Sequence, residues 1–203
     1  MEFTGERPTI DNEDEIKVSK IRYHSILPFC INKSIADLGC GVGHGTYYLS
    51  SNTNKDITGY DICEEAIIDA RSLFIRSNLN FKSIKNFDSI NLKDIDLLTM
   101  VESFEHFDKN EADLLLKRCS TINTLSVALT TPNGDQFNYH PQNSLEYRGY
   151  HKWHYTLEEL LSFKKYFRYL KVYADVYDPI LKAFTSYILF ASNSIKVTLP
   201  ENN

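Results

Sequence analysis

The chain has 203 residues, 42% hydrophobic and 24% charged, with a formal net charge of −5. That is the make-up of one soluble globular domain, large enough to bury most of its apolar surface. The negative balance argues against a broad phosphate-neutralising surface for nucleic acid, and no apolar run approaches the length of a membrane span. Cys30, Cys40, Cys63 and Cys119 form no C-x-x-C pair and no zinc-ligand spacing, which reads as free thiols in a reducing cytosol. The acidic start "MEFTGERPTIDNEDE" lacks the layout of a signal peptide, so a cytoplasmic protein is expected. No repeat or linker divides the chain, and the expectation is a single domain over 1–203 with residues 1–30 as an N-terminal cap.

In chain order, "DEIKVSKIRYHSILPF" (14–29) places Ile16, Ile21 and Leu27 on one face of a helix expected to end near Pro28. "SIADL" (34–38) reads as a buried strand entering a glycine-rich stretch, and "GTYYLSS" (45–51), free of breakers, as a helix. A second strand, "DITGYD" (56–61), leads to "EEAIIDARSLFIRSN" (64–78), where Ile67, Ala70, Leu73 and Phe74 recur at helical spacing. Strands three and four are "LNFKSI" (79–84) and "IDLLTMV" (95–101). Asp108 followed by Glu111 makes a capping box for a helix over 109–119, and "TLSVALT" (124–130) is strand five. Thr156 and Glu159 repeat the capping pattern before 157–167, and 169–177 and 184–192 close the chain as two strands. Strand alternating with helix predicts an α/β fold: an open, mostly parallel sheet with helices on both faces, ending in a hairpin with one antiparallel strand. Such sheets bind ligands beyond the carboxyl ends of their strands. The first strand ends at Leu38, directly before the glycines.

"ADLGCGVGHGTYYL" (36–49) carries Gly39, Gly41, Gly43 and Gly45 at alternate positions. A dinucleotide fingerprint, G-x-G-x-x-G, fails in both registers because His44 or Thr46 stands in the third glycine's place. What is present is D-x-G-x-G-x-G from Asp37 to Gly43, with Asp61 18 residues beyond Gly43 at the end of the second strand. Without a ligand, the glycines make a tight turn and Asp61 caps the next helix. With one, bare main chain lies against the ligand and Asp61 accepts ribose hydroxyls.

This pattern on a strand-to-helix turn resembles the first motif of class I S-adenosylmethionine-dependent methyltransferases, and the likeness runs from about residue 34 to 190. The resemblance implies a Rossmann-like seven-stranded sheet of order 3-2-1-4-5-7-6 with strand 7 antiparallel, and S-adenosyl-L-methionine as cofactor. It implies that Asp37 takes the cofactor's ammonium or organises the loop, and that Gly39, Gly41 and Gly43 lie against its tail and ribose. Asp61 would hold the ribose, and Ile62, Asn86 and Phe87 would surround the adenine. Val101 and Glu102 fall in "MVESFEHF" (100–107), which resembles the segment under the methionine moiety and includes the recurring pair Glu105-His106.

"FTGER" (3–7), the "IRYHSILPF" helix and "TTPN" (130–133) are similar to small methyltransferases of surface-polysaccharide pathways, whose acceptors are sugar hydroxyls or amines. Residues 137–155 follow strand five, where that family inserts substrate-binding elements, and hold three of the six histidines, four of the thirteen tyrosines and the only tryptophan. Such a mixture suits a carbohydrate. The expected contacts are Tyr139, His140, Tyr150 and Trp153, the alternative being a solvated loop whose aromatics cover the sheet. For taking a hydroxyl proton the candidates rank His151, His106, then His154, each with the alternative of a hydrogen-bonded or surface histidine. Where relatives place an acid three residues after the histidine, this chain has His154, so orientation of His151 must come from elsewhere. A metal site from His140, His151 and His154 lacks a carboxylate ligand, and no metal is expected. The expected function is O-methylation of a sugar, nucleotide-sugar or glycan. The alternatives are N-methylation of a sugar amine or other small molecule, and a catalytically silent S-adenosylmethionine-binding partner of another enzyme. The expected partners are a small-molecule or glycan substrate and no nucleic acid, with a homodimer left open.

Overall fold

The computed structural model describes residues 13–137, 151–178 and 183–195. Its strands are β1 (Ile35–Leu38), β2 (Ile57–Asp61), β3 (Leu79–Ser83), β4 (Leu97–Val101), β5 (Ser126–Pro132), β6 (Tyr169–Asp178) and β7 (Ala183–Ser192). Its helices are α1 (Glu13–Cys30), α2 (His44–Ser50), α3 (Glu64–Leu73), α4 (Lys109–Ser120), α5 (Gly134–Phe137) and α6 (Leu157–Ser162). The strands form one sheet in the order β3-β2-β1-β4-β5-β7-β6. The five strands β1 to β5 are parallel, and β7 is antiparallel to both of its neighbours.

Consecutive residues of the central strands enter opposite cores, as the two-residue period of a strand requires. Ile35, Leu97, Ala128, Ile188 and Phe190 meet Tyr23, Ile26 and Phe29 of α1 and Leu49 of α2. Ala36, Leu98, Val127 and Leu189 meet Ala112, Leu115, Leu116 and Cys119 of α4 and Leu160 of α6. Burial on both faces is why these strands read as continuous apolar runs. Alongside, α3 lays Ile67 and Ala70 on Phe81 of β3 and on Cys40. Both capping boxes form, at Asp108/Glu111 and at Thr156/Glu159.

Three helices differ from the sequence reading. Helix α6, expected over 157–167, ends at Ser162 and passes into a 3-10 turn at Phe163–Lys165. Helix α1 continues through Pro28 to Cys30, because the turn that carries the proline is held by packing: Phe29 stacks on Phe190 with ring centroids 4.7 Å apart. Its buried face is Tyr23, Ile26, Phe29 and Cys30, whereas Ile21 is 56% exposed. Helix α3 stops at Leu73, since Phe74 turns extended and stacks its ring on Tyr47 of α2. No helix among the described residues is long and apolar enough to cross a membrane. The carboxyl ends of β1, β2, β4 and β5 come together at one edge of the sheet, where the candidate site lies.

Candidate active site

Asp37, on β1, is fully buried. Three hydroxyls donate to it: Tyr23 from α1 at 3.0 Å, Thr46 from α2 at 2.6 Å and Thr99 from β4 at 2.7 Å. Of its two expected roles it therefore takes the second, organising the loop. Burial raises its pKa even though the three hydrogen bonds oppose the shift. Tyr23 reaches Asp37 by lying across Gly45, where a Cβ would stand 2.0 Å from the ring. Gly45 is thus a packing glycine, not a ligand-facing one. Gly39 and Gly43 hold left-handed backbone, at φ +78° and +89°, and their missing Cβ atoms would strike Ser103 and Phe81 respectively. Gly41, half-buried at φ +53°, donates its amide to Asp61 Oδ2 at 2.8 Å. The same carboxylate accepts from the Cys63 amide through Oδ1 at 2.9 Å, so Asp61 ties the glycine loop to the start of α3. The helix cap itself is Cys63, not Asp61.

The end of β4 is pinned on both sides. Ser103 donates to the Leu38 carbonyl of β1 at 2.9 Å. Glu102 adopts left-handed backbone, φ +49°, which non-glycine residues keep only where the surroundings impose it. Here they do: its amide donates to the Thr130 hydroxyl at 3.1 Å, that hydroxyl donates back to Glu102 Oε1 at 2.8 Å, and Oε2 pairs with Arg22 of α1 at 3.0 Å. Burial raises the Glu102 pKa, while Arg22, Thr130 and the nearby His151 act against the rise.

The histidines converge on this end. The amides of Lys152 and Trp153 donate to the Glu105 carbonyl at 2.8 and 3.1 Å, fastening the 151–154 segment to the turn at Phe104–His106. The rings of His106 and His151 are consequently 5.1 Å apart, and His151 Nδ1 lies 2.7 Å from His154 Nε2. The orienting partner of His151 is thus the residue that replaces the family's acid. His154 is 4% exposed, which suits holding His151 rather than meeting an acceptor.

Other expected positions are placed as follows. Ile62 is 43% exposed beside Asp61, and Asn86 caps the short turn Phe87–Ser89 by accepting from the Ser89 amide. Phe87 meets Phe107 edge-on at 5.4 Å. Val101 is committed to the core against α1, leaving only its main chain for a ligand. Trp153 donates from Nε1 to Glu159 at 3.1 Å, and Lys109 stands over its ring at 3.8 Å. Tyr139, His140 and Tyr150 lie outside the described residues. Sequence reasoning missed Tyr23, Thr46, Thr99, Arg22 and Thr130, the partners that fix Asp37 and Glu102. None stands near its acid in the motif except Thr46, nine positions on.

The residues present fit S-adenosylmethionine: bare main chain at Gly41, a carboxylate at Asp61 and exposed apolar surface at Ile62. The loop is also electrically negative, since the charges of Asp61 and Asp37, after burial, raise the Cys40 thiol. A pyrophosphate would be repelled there and a cationic ligand attracted.

Residues 35–123 match the family model described as a methyltransferase domain. No curated protein sequence matches the chain. Among solved structures, the methyltransferase domain of bacterial CtHen1-C superposes with a TM-score of 0.64 at 19% identity, over 87% of this chain and 100% of that one. Magnesium protoporphyrin IX methyltransferase from Synechocystis PCC 6803, solved with SAH, gives 0.65 at 15% identity, over 94% and 90%. The plantazolicin methyltransferase BpumL, also with SAH, gives 0.60 at 22% identity, over 88% and 83%. Residues 35–123 thus match a methyltransferase domain, an enzyme domain that uses S-adenosylmethionine, within a chain whose seven-stranded Rossmann-like fold is that of these solved structures.

Proposed function

We propose that the protein transfers a methyl group from S-adenosylmethionine to a hydroxyl of a sugar-type acceptor, and that the histidine cluster handles that hydroxyl. The observation that carries this reading is the convergence of His106, His151 and His154 at the carboxyl end of β4, next to the glycine loop that Ser103 fastens to β4. The cofactor supplies an activated methyl on sulfur that leaves as a neutral thioether. The chain must therefore align the acceptor and make loss of its proton easy near neutral pH. Asp37 and Asp61 set the shape of the cofactor loop, Glu102 holds the end of β4, and His151, oriented by His154, faces the acceptor side. An amine acceptor would arrive with its own lone pair and would need no such cluster. The likeness of residues 3–7, 21–29 and 130–133 to polysaccharide methyltransferases supports a sugar as the hydroxyl's bearer, and so does the aromatic and histidine content of 137–155.

The test is transfer of radiolabelled methyl from S-adenosylmethionine to a panel of nucleotide sugars and short glycans, with His151→Ala beside the wild type. Expected is transfer to at least one member, lost by about 10²–10⁴-fold in turnover in the variant, with S-adenosylhomocysteine affinity unchanged. Transfer to amines alone, or full turnover in the variant, would refute the reading.

A further inference from the structure

We infer that Glu105, His106 and His151 form a binding site for a divalent first-row transition cation. Each of the three offers one ligand atom, and these atoms all lie within 4.8 Å of one another. Ligand atoms held about 2.0–2.2 Å from one ion stand roughly 3–3.5 Å apart, so a side-chain adjustment of about an ångström closes the set. Two imidazoles and one carboxylate are ligands of intermediate softness, the donor set of open transition-metal sites and not of calcium cages.

Three further features of the structure belong to a metal site. The carboxylate donor is on a residue only 1% exposed, and the Thr131 hydroxyl, donating to its Oε2 at 3.3 Å, holds it in place. The two ligand segments are joined main chain to main chain through the Glu105 carbonyl, so His106 and His151 are set in place before any ion arrives. His151 also has the outer partner that metal-bound imidazoles usually have: its Nδ1 lies 2.7 Å from His154 Nε2, and in the tautomer whose Nδ1–H donates across that distance His151 ligates through Nε2. The missing carboxylate that set aside a His140, His151, His154 site is supplied from the turn after β4, by Glu105.

Three protein ligands leave positions open, and an ion there takes water or an acceptor oxygen and makes that oxygen's proton easier to lose. This deepens the reading above and rests on it for the cation's task, though not for its presence. The histidines then act as ligands, and the ion replaces a protein base.

The experiment uses the untagged full chain, stripped with chelator and titrated with Mn²⁺ while electron paramagnetic resonance reads the free ion. Co²⁺ absorption and Zn²⁺ competition report on the same site. One equivalent of Mn²⁺ is expected to bind. Affinity should fall at least tenfold in Glu105→Gln, His106→Ala and His151→Ala, and stay unchanged in His24→Ala on α1. Circular dichroism melts establish that each variant is folded, and His106→Gln and His151→Asn replace any that is not. Absence of binding to Mn²⁺, Co²⁺ and Zn²⁺ at millimolar concentration overturns the inference, as does binding that survives all the ligand substitutions. Metal binding without methyl transfer to any sugar leaves the site standing and removes the acceptor reading. Transfer to sugars that persists in chelator, without metal binding, does the reverse.

Discussion

The loop glycines divide into those whose missing Cβ serves the packing and Gly41, which we propose meets the ligand, and two alanine substitutions separate them. In Gly45→Ala the new Cβ would stand 2.0 Å from the Tyr23 ring, so the ring must leave and its bond to Asp37 breaks. Losing a hydrogen bond to a charged group costs about 1.5–3 kcal/mol, and overpacking adds roughly 1–3 kcal/mol. Against this, alanine in place of glycine favours the helix by about 1 kcal/mol. The net cost is roughly 2–5 kcal/mol, which for a domain of this size lowers Tm by about 4–20 °C. In Gly41→Ala, left-handed backbone costs an L-residue about 1–2 kcal/mol, partly offset by about 0.4–1 kcal/mol from a stiffer unfolded chain. That variant should melt within a few degrees of wild type, yet bind S-adenosylhomocysteine at least about tenfold more weakly, a loss of about 1.4 kcal/mol. Scanning fluorimetry reads the first quantity and titration calorimetry the second. A Gly45→Ala protein as stable as wild type would show that Tyr23 does not lie over this glycine. Full affinity in Gly41→Ala would show that the loop's glycines serve the turn alone.

Asp61→Ala should weaken S-adenosylhomocysteine binding by about 1–3 kcal/mol and leave the protein folded; calorimetry showing unchanged affinity would reduce Asp61 to a tie between the Gly41 and Cys63 amides. Asp37 has its pKa raised by burial, so the folded state favours its protonated form: the stability this contributes is present below the unfolded value near about 4 and is lost as pH rises through the folded value. Urea melts of wild type and Asp37→Asn across that range should therefore show the wild type losing ground to the variant as pH rises, and a constant difference would contradict the burial assigned to Asp37. All four cysteines are free and buried, and burial pushes the Cys119 thiol up to about 12 and the Cys30 thiol higher still. Ellman's reagent should react with four thiols in denaturant and leave Cys30 and Cys119 unmodified in the native protein, whereas fast native labelling of either would place it at the surface.

The strands and the closing hairpin were legible because parallel strands buried on both faces leave apolar runs, and breakers separate them; the strand order came from the family resemblance. The glycine loop was legible as a site because its residues are adjacent. Its supports were not. Asp37 draws its donors from positions 14, 9 and 62 residues away, and no local pattern reports such a convergence. Thr46 was in view only as the residue that broke a dinucleotide register, although its hydroxyl makes the shortest bond to Asp37. Glu105 was visible beside His106, but its relation to His151 depends on two main-chain bonds from Lys152 and Trp153 to its carbonyl. A search for a carboxylate near His140, His151 and His154 in sequence could not find one that approaches from the far side of strand five. The partners of Trp153 were hidden in the same way: Lys109 stands over its ring from 44 residues away, and Glu159 accepts from its Nε1.

Helix α1 explains why its buried face was misjudged from periodicity. Its contacts with the site are polar: Arg22 pairs with Glu102 at 3.0 Å, Tyr23 donates to Asp37 at 3.0 Å and Ser25 donates to Asp175 of β6 at 3.0 Å. Burial raises the pKa of all three acids, as expected where carboxylates gather in a medium that solvates them poorly. Among the described residues Arg22 is the cation that acts on two of them, Glu102 and Asp175. Buried acids that gather in this way need donors and a cation to hold them. A helix that reaches them from the sheet's α1 face does this, and does so for the cofactor loop and the acceptor end with neighbouring residues. One turn of α1 thus supports Asp37, Glu102 and Asp175 together, and a substitution there should disturb β1, the end of β4 and β6 at once.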